Sequence, residues 1–111
     1  MAKQENFKIL GQVSPNAATV STLYTVPAST QSVVSTINVC NTTASATTCR
    51  IAAVPNRESL SLEHYIAYDA TVTAKDSVSL TIGVTLGTGD TLSVYASTAS
   101  VSFSAFGSEV S

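Results

Sequence analysis

Few residues of this 111-residue chain could carry out chemistry. His64 is the only histidine, so acid–base or nucleophilic catalysis at neutral pH would have to use it. Its neighbour Glu63 would point to the opposite face of a strand that begins at residue 64, because side chains alternate along a strand. The sequence also lacks the nucleophile-elbow, phosphate-loop and zinc-protease motifs. We therefore predict a surface or interface histidine, no catalytic residue and no enzyme.

The sequence does not predict a metal or a cofactor. Two cysteines and one distant histidine supply too few ligands for a zinc site. The segment Gly87–Asp90 has the glycines of a phosphate or calcium loop, but it lacks the Lys-Ser/Thr pair of the former and the carboxylates of the latter. Asp76 and Asp90 are therefore interpreted as turn residues.

The two cysteines, Cys40 and Cys49, flank a polar loop over residues 41–48. If the flanking strands pair as a hairpin with Val39 opposite Ile51, the cysteines lie on opposite faces. A disulfide requires both Cβ atoms within about 4 Å on the same side. This register predicts two free thiols, as in a reducing compartment, although a bulge in the loop could still allow a bridge.

Three tyrosines, Tyr65, Tyr68 and Tyr95, raise the alternative of a carbohydrate-binding platform, since sugars stack on aromatic rings. Tyr65 and Tyr68 are out of phase in a regular strand, so they are predicted not to share a face. Packing in the core or at its rim is the favoured interpretation. A carbohydrate-binding module remains the alternative function.

Three segments in the C-terminal third alternate between apolar and polar residues: Asp76–Val84, Thr91–Ser97 and Val101–Phe106. In the first, Val78, Leu80, Ile82 and Val84 occupy every second position. A period of two is typical of strands with one buried face. The short glycine-rich or polar links predict an antiparallel meander, whose apolar face a second sheet must cover.

Further strands are predicted upstream at Thr19–Val26, Gln31–Cys40, Cys49–Val54 and His64–Val72. In the second of these, Val33, Ile37 and Val39 are predicted to share one face, and the charged segment Asn56–Glu63 could hold a helical turn. About seven or eight strands with frequent turns predict an all-β fold. We expect an antiparallel β-sandwich of jelly-roll or Ig-like type.

The length suits one domain, with an N-terminal arm over residues 1–18 and a sandwich over residues 19–111. Phe7, Ile9 and Leu10 give the arm an apolar patch that could add a strand to its own sheet or to that of a neighbour. Both alternatives remain open at this point.

The charge pattern excludes some partners. Charged residues make up 11% of the chain, the net charge is −2, and the basic residues are scattered, so we expect no nucleic-acid binding. No apolar run approaches the length of a membrane span, and Met1–Asn6 is too polar to begin a signal peptide. We therefore expect no membrane partner and synthesis in the cytosol.

Four stretches resemble a known class of proteins: Lys8–Pro27 (KILGQVSPNAATVSTLYTVP), Val33–Asn41 (VVSTINVCN), His64–Asp90 (HYIAYDATVTAKDSVSLTIGVTLGTGD) and Leu92–Val110 (LSVYASTASVSFSAFGSEV). They resemble small virion structural proteins of tailed bacteriophages, including cyanophages and other marine phages. The resemblance extends from Lys8 to Val110. It implies a non-enzymatic accessory β-sandwich on the virion, either a knob in the tail, baseplate or fibre-attachment region or a capsid decoration or cement protein.

The resemblance also implies partners. These are other phage structural proteins and further copies of the chain, with a trimer as the guess by analogy. The carbohydrate-binding alternative would then assist adsorption to the host. We hypothesise that the inter-subunit contacts come from the arm and from the charged segment, at Phe7, Ile9, Leu10, Arg57, Glu58 and Glu63.

Overall fold

The computed structural model describes residues 5–81 and 83–111, so residues 1–4 of the predicted arm and the strand position Ile82 lie outside the described residues. The described part contains nine strands: β1 (Glu5–Val13), β2 (Ser21–Thr25), β3 (Gln31–Asn41), β4 (Thr47–Val54), β5 (Tyr65–Val72), β6 (Ser77–Leu80), β7 (Val84–Leu86), β8 (Thr91–Ala96) and β9 (Val101–Val110). A 3₁₀ turn, Leu62–His64, overlaps the end of the segment Asn56–Glu63, in which the sequence allowed a helical turn, and includes His64, where a strand was predicted to begin. The all-β prediction is confirmed.

The strands form two antiparallel sheets. Sheet A has the order β1-β9-β3-β6, and β7 also pairs with β3. Sheet B has the order β2-β8-β4-β5. Every pair is antiparallel, so the chain reverses direction between any two neighbouring strands.

The pairing is nested from the ends of the chain to its middle. The first strand pairs with the last, β2 with β8, β3 with both β6 and β7, and β4 with β5. This is a long hairpin wrapped into two facing sheets, which is the jelly-roll form of the β-sandwich. The predicted antiparallel sandwich is therefore confirmed, with the strand predicted over residues 76–84 divided between β6 and β7.

The core lies between the two sheets. Its largest fully buried side chains are Phe103, Ile37, Ile51, Leu92, Val34, Val39, Val72, Val94 and Val101. Burial of each such side chain stabilises the fold by about 1.5–3 kcal/mol before the loss of conformational entropy is counted. The buried amide of Asn41 donates to the carbonyl oxygens of Ser45 and Val72, so this polar group is satisfied.

The predicted C-terminal meander is wrong. Strand β8 belongs to sheet B, whereas β7 and β9 belong to sheet A, so the chain crosses the core twice in this region. Leu92 on β8 and Phe103 on β9 belong to one core cluster but come from opposite sheets. The period of two identifies the buried residues and does not specify which strands are neighbours.

The predicted hairpin around the cysteines is also wrong, because β3 lies in sheet A and β4 in sheet B. The face assignment in β3 needs a correction as well. The register against β9 shifts between Val34 and Thr36, so one extra residue, Ser35, changes the phase of the strand. Val34 is buried as a result, and Val33, which was predicted to share a face with Ile37, is exposed.

Strand β1 takes one of the two alternatives left open for the arm. It pairs antiparallel with β9 from Glu5 to Val13 and forms an edge of sheet A. At Gly11 the strand also approaches sheet B so closely that an added Cβ would lie 2.1 Å from the carbonyl oxygen of Leu23. Only glycine leaves room for this contact between the two sheets.

Candidate interaction surface

The outer face of sheet A carries a patch of exposed apolar side chains near the β1 edge. Ser108 on β9 lies opposite both Phe7 on β1 and Val33 on β3, so these three residues form one row across the sheet. The neighbouring row contains Ile9 and Phe106. Because positions 106 and 108 are two residues apart on one strand, both rows lie on the same face.

The exposure of these side chains is large for apolar residues. Phe7 is 80% exposed, Ile9 53% and Val33 40%. A shallow hollow of about 270 Å³ lies beside them, lined by Phe7, Val33, Ser108 and others. We name Phe7, Ile9, Val33 and Phe106 the β1 patch. The sequence predicted Phe7 and Ile9 as contact residues and missed Val33, since the phase change at Ser35 has no clear sequence signal. It also did not identify Phe106, which is half-buried on the same face.

Leu10, the third predicted contact residue of the arm, lies elsewhere. The register of β1 shifts between Ile9 and Gly11, which leaves Leu10 as an extra residue. Its side chain is partly buried and packs against the core cluster. Leu10 therefore helps to anchor β1, while Phe7 and Ile9 face outwards.

A polar cluster on the inner side of the sheet also anchors β1. Lys8 Nζ lies 3.3 Å from Glu109 Oε1, and the hydroxyl of Tyr24 donates to Glu109 Oε2 at 2.5 Å. The Tyr24 hydroxyl hydrogen already bonds to Glu109, so the hydroxyl of Ser32 donates to the Tyr24 oxygen, with the two oxygens 2.7 Å apart. Burial, followed by the bond to Glu109, raises the pKa of Tyr24 to about 12. The bond from Tyr24 lowers the pKa of Glu109, and the cluster links β1 and β9 to β2 of sheet B.

The charged segment supplies the other predicted contact residues. It follows β4 of sheet B, so Arg57, Glu58 and Glu63 belong to a different part of the fold from the β1 patch. Arg57 and Glu63 are exposed, and Arg57 has a left-handed φ of 68°. Glu58 accepts a hydrogen bond from His64, so its carboxylate already stabilises the local structure of its own subunit.

The prediction of a surface or interface histidine is wrong, because His64 is only 8% exposed. Its Nδ1 accepts the backbone N–H of Ser61 at 3.1 Å, so Nδ1 carries no proton. Its Nε2 therefore carries the proton and donates to Glu58 Oε1 at 3.0 Å. Both ring nitrogens hold the 3₁₀ turn to the preceding loop, an arrangement that sequence spacing alone did not show.

The tyrosines are closer together than the regular-strand argument predicted. Two residues of β5, Tyr68 and Asp69, lie opposite the single residue Arg50, and Asp69 has a left-handed φ of 53°. A second shift in the register leaves Ile66 as an extra residue, since Ala67 lies opposite Ile51 and Tyr65 opposite Ala52. This second bulge changes the phase between the two tyrosines, whose rings meet with centroids 4.9 Å apart. The prediction that they must be separated is wrong.

Arg50 is the centre of this cluster. Its guanidinium lies 4.2 Å from the Tyr68 ring centroid and 4.5 Å from that of Tyr95, and it pairs with Asp69 through two nitrogens. The hydrogen bond to Asp69 raises the pKa of Arg50. The guanidinium occupies one face of each of these rings, and the Tyr65 and Tyr68 rings are nearly perpendicular at 86°. This geometry is a packed cluster rather than a flat platform for sugars.

The cysteines and Asp90, the other residues considered as functional candidates, have structural roles or lie in the protein interior or at its margin. Cys40 and Cys49 are free thiols, as predicted, and burial raises the pKa of Cys49. Asp90 accepts the backbone N–H groups of Gly87 and Asn56, both at 2.8 Å, which confirms its turn role. Among the described residues no group of three or more potential ligands could hold a metal ion. No helix within residues 5–81 and 83–111 is long and apolar enough to cross a membrane.

Comparisons with known proteins show a likeness of fold. No family model matches the chain, and no curated protein matches it. A chain from "Structure of infectious bursal disease virus Gx strain" matches with a TM-score of 0.55 and 14% identity, over 99% of this chain and 33% of that chain. A chain from the crystal structure of the T13 particle of the same virus matches with a TM-score of 0.57 and 13% identity, over 97% of this chain and 30% of that one. The chain thus spans about a third of the length of these neighbours, and at this identity the match shows the fold alone.

Proposed function

We propose that this chain is a non-enzymatic structural subunit of a virion. The observation that carries the proposal is the match of nearly the whole sandwich, 97–99% of the chain, to chains in structures of infectious bursal disease virus. The buried His64, with both ring nitrogens engaged in structural bonds, supports a role without catalysis. The exposed β1 patch offers a surface for a partner, as a subunit in a particle requires.

The resemblance to tailed-phage proteins refines this proposal. The chain would be an accessory sandwich in the tail, baseplate or fibre-attachment region, or a decoration or cement protein on the capsid. Phe7 and Ile9 would make the main inter-subunit contact, with Arg57 and Glu63 as polar contacts from a separate part of the surface. Repetition of these contacts in many symmetric copies would make the overall binding strong even if each single contact is weak.

The test is incorporation into particles. An epitope-tagged chain is supplied while the encoding virus replicates, and density-purified particles are analysed by quantitative mass spectrometry. We expect the wild-type chain in particles at a fixed copy number and a clear loss for the Phe7→Asp/Ile9→Asp variant. Val20→Asp is the matched control, since Val20 is 50% exposed but lies outside β1. Absence of the wild-type chain from purified particles would refute the proposed function.

A further inference from the structure

We propose that two copies of the chain pair through β1, antiparallel and about a two-fold axis at Phe7, so that sheet A continues from one copy into the other. This inference rests on the proposed function, because it names the partner of the β1 patch as a second copy of the same chain. The proposal follows from the free edge of sheet A, its charges and its exposed area.

The edge of sheet A provides the backbone for this contact. Among the described strands, β1 pairs with β9 alone, so the backbone groups along its other side are available to another strand. The register of β1 against β9 is regular from Glu5 to Ile9 and shifts after Ile9. Phe7 is the middle residue of this regular stretch. A two-fold axis at Phe7 therefore pairs Glu5 of each copy with Ile9 of the other, within the regular stretch of both.

The charges of β1 disfavour the registers whose axis lies at Lys8 or at Glu5. An axis at Phe7 places Lys8 opposite Asn6 and Glu5 opposite Ile9, so no like charges meet. An axis at Lys8 would place two lysines opposite each other, and an axis at Glu5 two glutamates. Like charges directly opposite in an antiparallel pair are destabilising.

The exposed apolar area indicates how strong the contact is. An axis at Phe7 brings two exposed phenyl rings together as a cross-strand pair, with Ile9 on the same face. Phe7 and Ile9 together expose on the order of 250 Å² per copy, which is well below the roughly 800 Å² per partner of a stable interface. The pair is therefore weak between free copies and becomes firm only where a particle holds many copies together.

Disulfide trapping tests both the contact and its register. In a Cys40→Ser background, Phe7→Cys places the two new thiols directly opposite each other, with Cα atoms about 5 Å apart, as a disulfide requires. In Ile9→Cys the two thiols are offset by four residues, roughly 13 Å along the strand. Val20→Cys, on an exposed residue outside β1, measures random collision. Under a mild oxidant we expect Phe7→Cys to form dimers at least about tenfold faster than both others.

A second measurement uses the native cysteines and no oxidant. Sedimentation equilibrium of the wild type should show a mean mass that rises with concentration, whereas Phe7→Asp should remain monomeric. Thermal unfolding of each variant shows that it is folded.

Three outcomes would overturn the inference. They are equal dimer formation by Phe7→Cys and Val20→Cys, faster dimer formation by Ile9→Cys, and a wild type that stays monomeric at every concentration. If such a failure accompanies normal incorporation of the chain into particles, the pairing is refuted and the proposed function stands. If the wild-type chain is absent from particles, the proposed function fails whatever the trapping shows.

Discussion

Replacement of Gly107 by alanine should destabilise the sandwich, although Gly→Ala in an unstrained position usually stabilises by about 0.4–1 kcal/mol. Gly107 lies on β9 opposite Val34, one residue from the phase change at Ser35 that exposes Val33. A Cβ at position 107 would lie 2.0 Å from the carbonyl oxygen of Val33 and 3.0 Å from Val34 Cα. These are backbone atoms of the central strand, so no side-chain rotation can relieve the clash.

The expected magnitude follows from that geometry. Forcing extra volume into a packed site typically costs about 1–3 kcal/mol, and here both strands must move apart. We expect a net loss of about 2 kcal/mol in the free energy of unfolding, which lowers Tm by roughly 8 °C for a domain of this size. Gly87→Ala is the matched control, because its Cβ would meet nothing closer than Asp90 Oδ2 at 3.6 Å.

Urea unfolding followed by far-UV circular dichroism, with Tm from calorimetry, measures the difference between the two variants. If Gly107→Ala is as stable as Gly87→Ala, the close approach of β9 to Val33 is wrong. The exposure of Val33 through the phase change at Ser35 would then be wrong as well.

Three further predictions concern the polar groups. Glu109→Gln should lower the free energy of unfolding at neutral pH by about 1.5–3 kcal/mol. The pKa of Glu109 is lowered in the folded protein, so the stability that its carboxylate contributes is present above the unfolded-state pKa and is lost as the pH falls through the folded-state pKa. The difference in stability between the variant and the wild type should therefore disappear in acid. Arg50→Lys should lower Tm, since lysine keeps the charge but loses the two-nitrogen pairing with Asp69 and the stacking on both rings. In the folded protein the thiol of Cys49 should react with DTNB far more slowly than that of Cys40, because Cys49 is buried and its pKa is raised.

Each of these predictions has its own contradicting result. For Glu109→Gln it is a stability gap that stays constant from neutral pH to about pH 3. For Arg50→Lys it is strict additivity with Asp69→Asn in a double-mutant cycle, which would mean that the two side chains do not interact. For the thiols it is equal reactivity before unfolding, with reaction in urea as the control in which both should respond equally.

The sequence was sufficient to predict the all-β class and most strand positions, because a period of two reports directly on burial. It could not predict which strands are neighbours. Leu92 and Phe103 have the same pattern whether β8 and β9 pair in one sheet or face each other from two sheets. The partner of each strand depends on the nested pairing of the whole chain, so a short segment of the sequence cannot predict it.

The candidate surface was predictable only where the strands are regular. Phe7 and Ile9 were recognised because apolar residues in a polar N-terminal segment stand out. A period of two places Val33 on the same face as Ile37, because it does not detect the extra residue Ser35. The bulge at Asp69 had a weak local signal, because aspartate tolerates a left-handed φ better than most residues. The pairing of Asp69 with Arg50 could not be predicted, because it depends on the register of β5 against β4.

The nested pairing also determines how the sandwich can be joined to other chains. Glu5 at the start of β1 lies opposite Val110 at the end of β9, so the first and last described strands begin and end about 5 Å apart. A longer polypeptide would therefore enter and leave the sandwich at two adjacent positions on its surface. The sandwich can therefore be inserted into a surface loop of a host protein, or circularly permuted by a short linker, with little change in its interior.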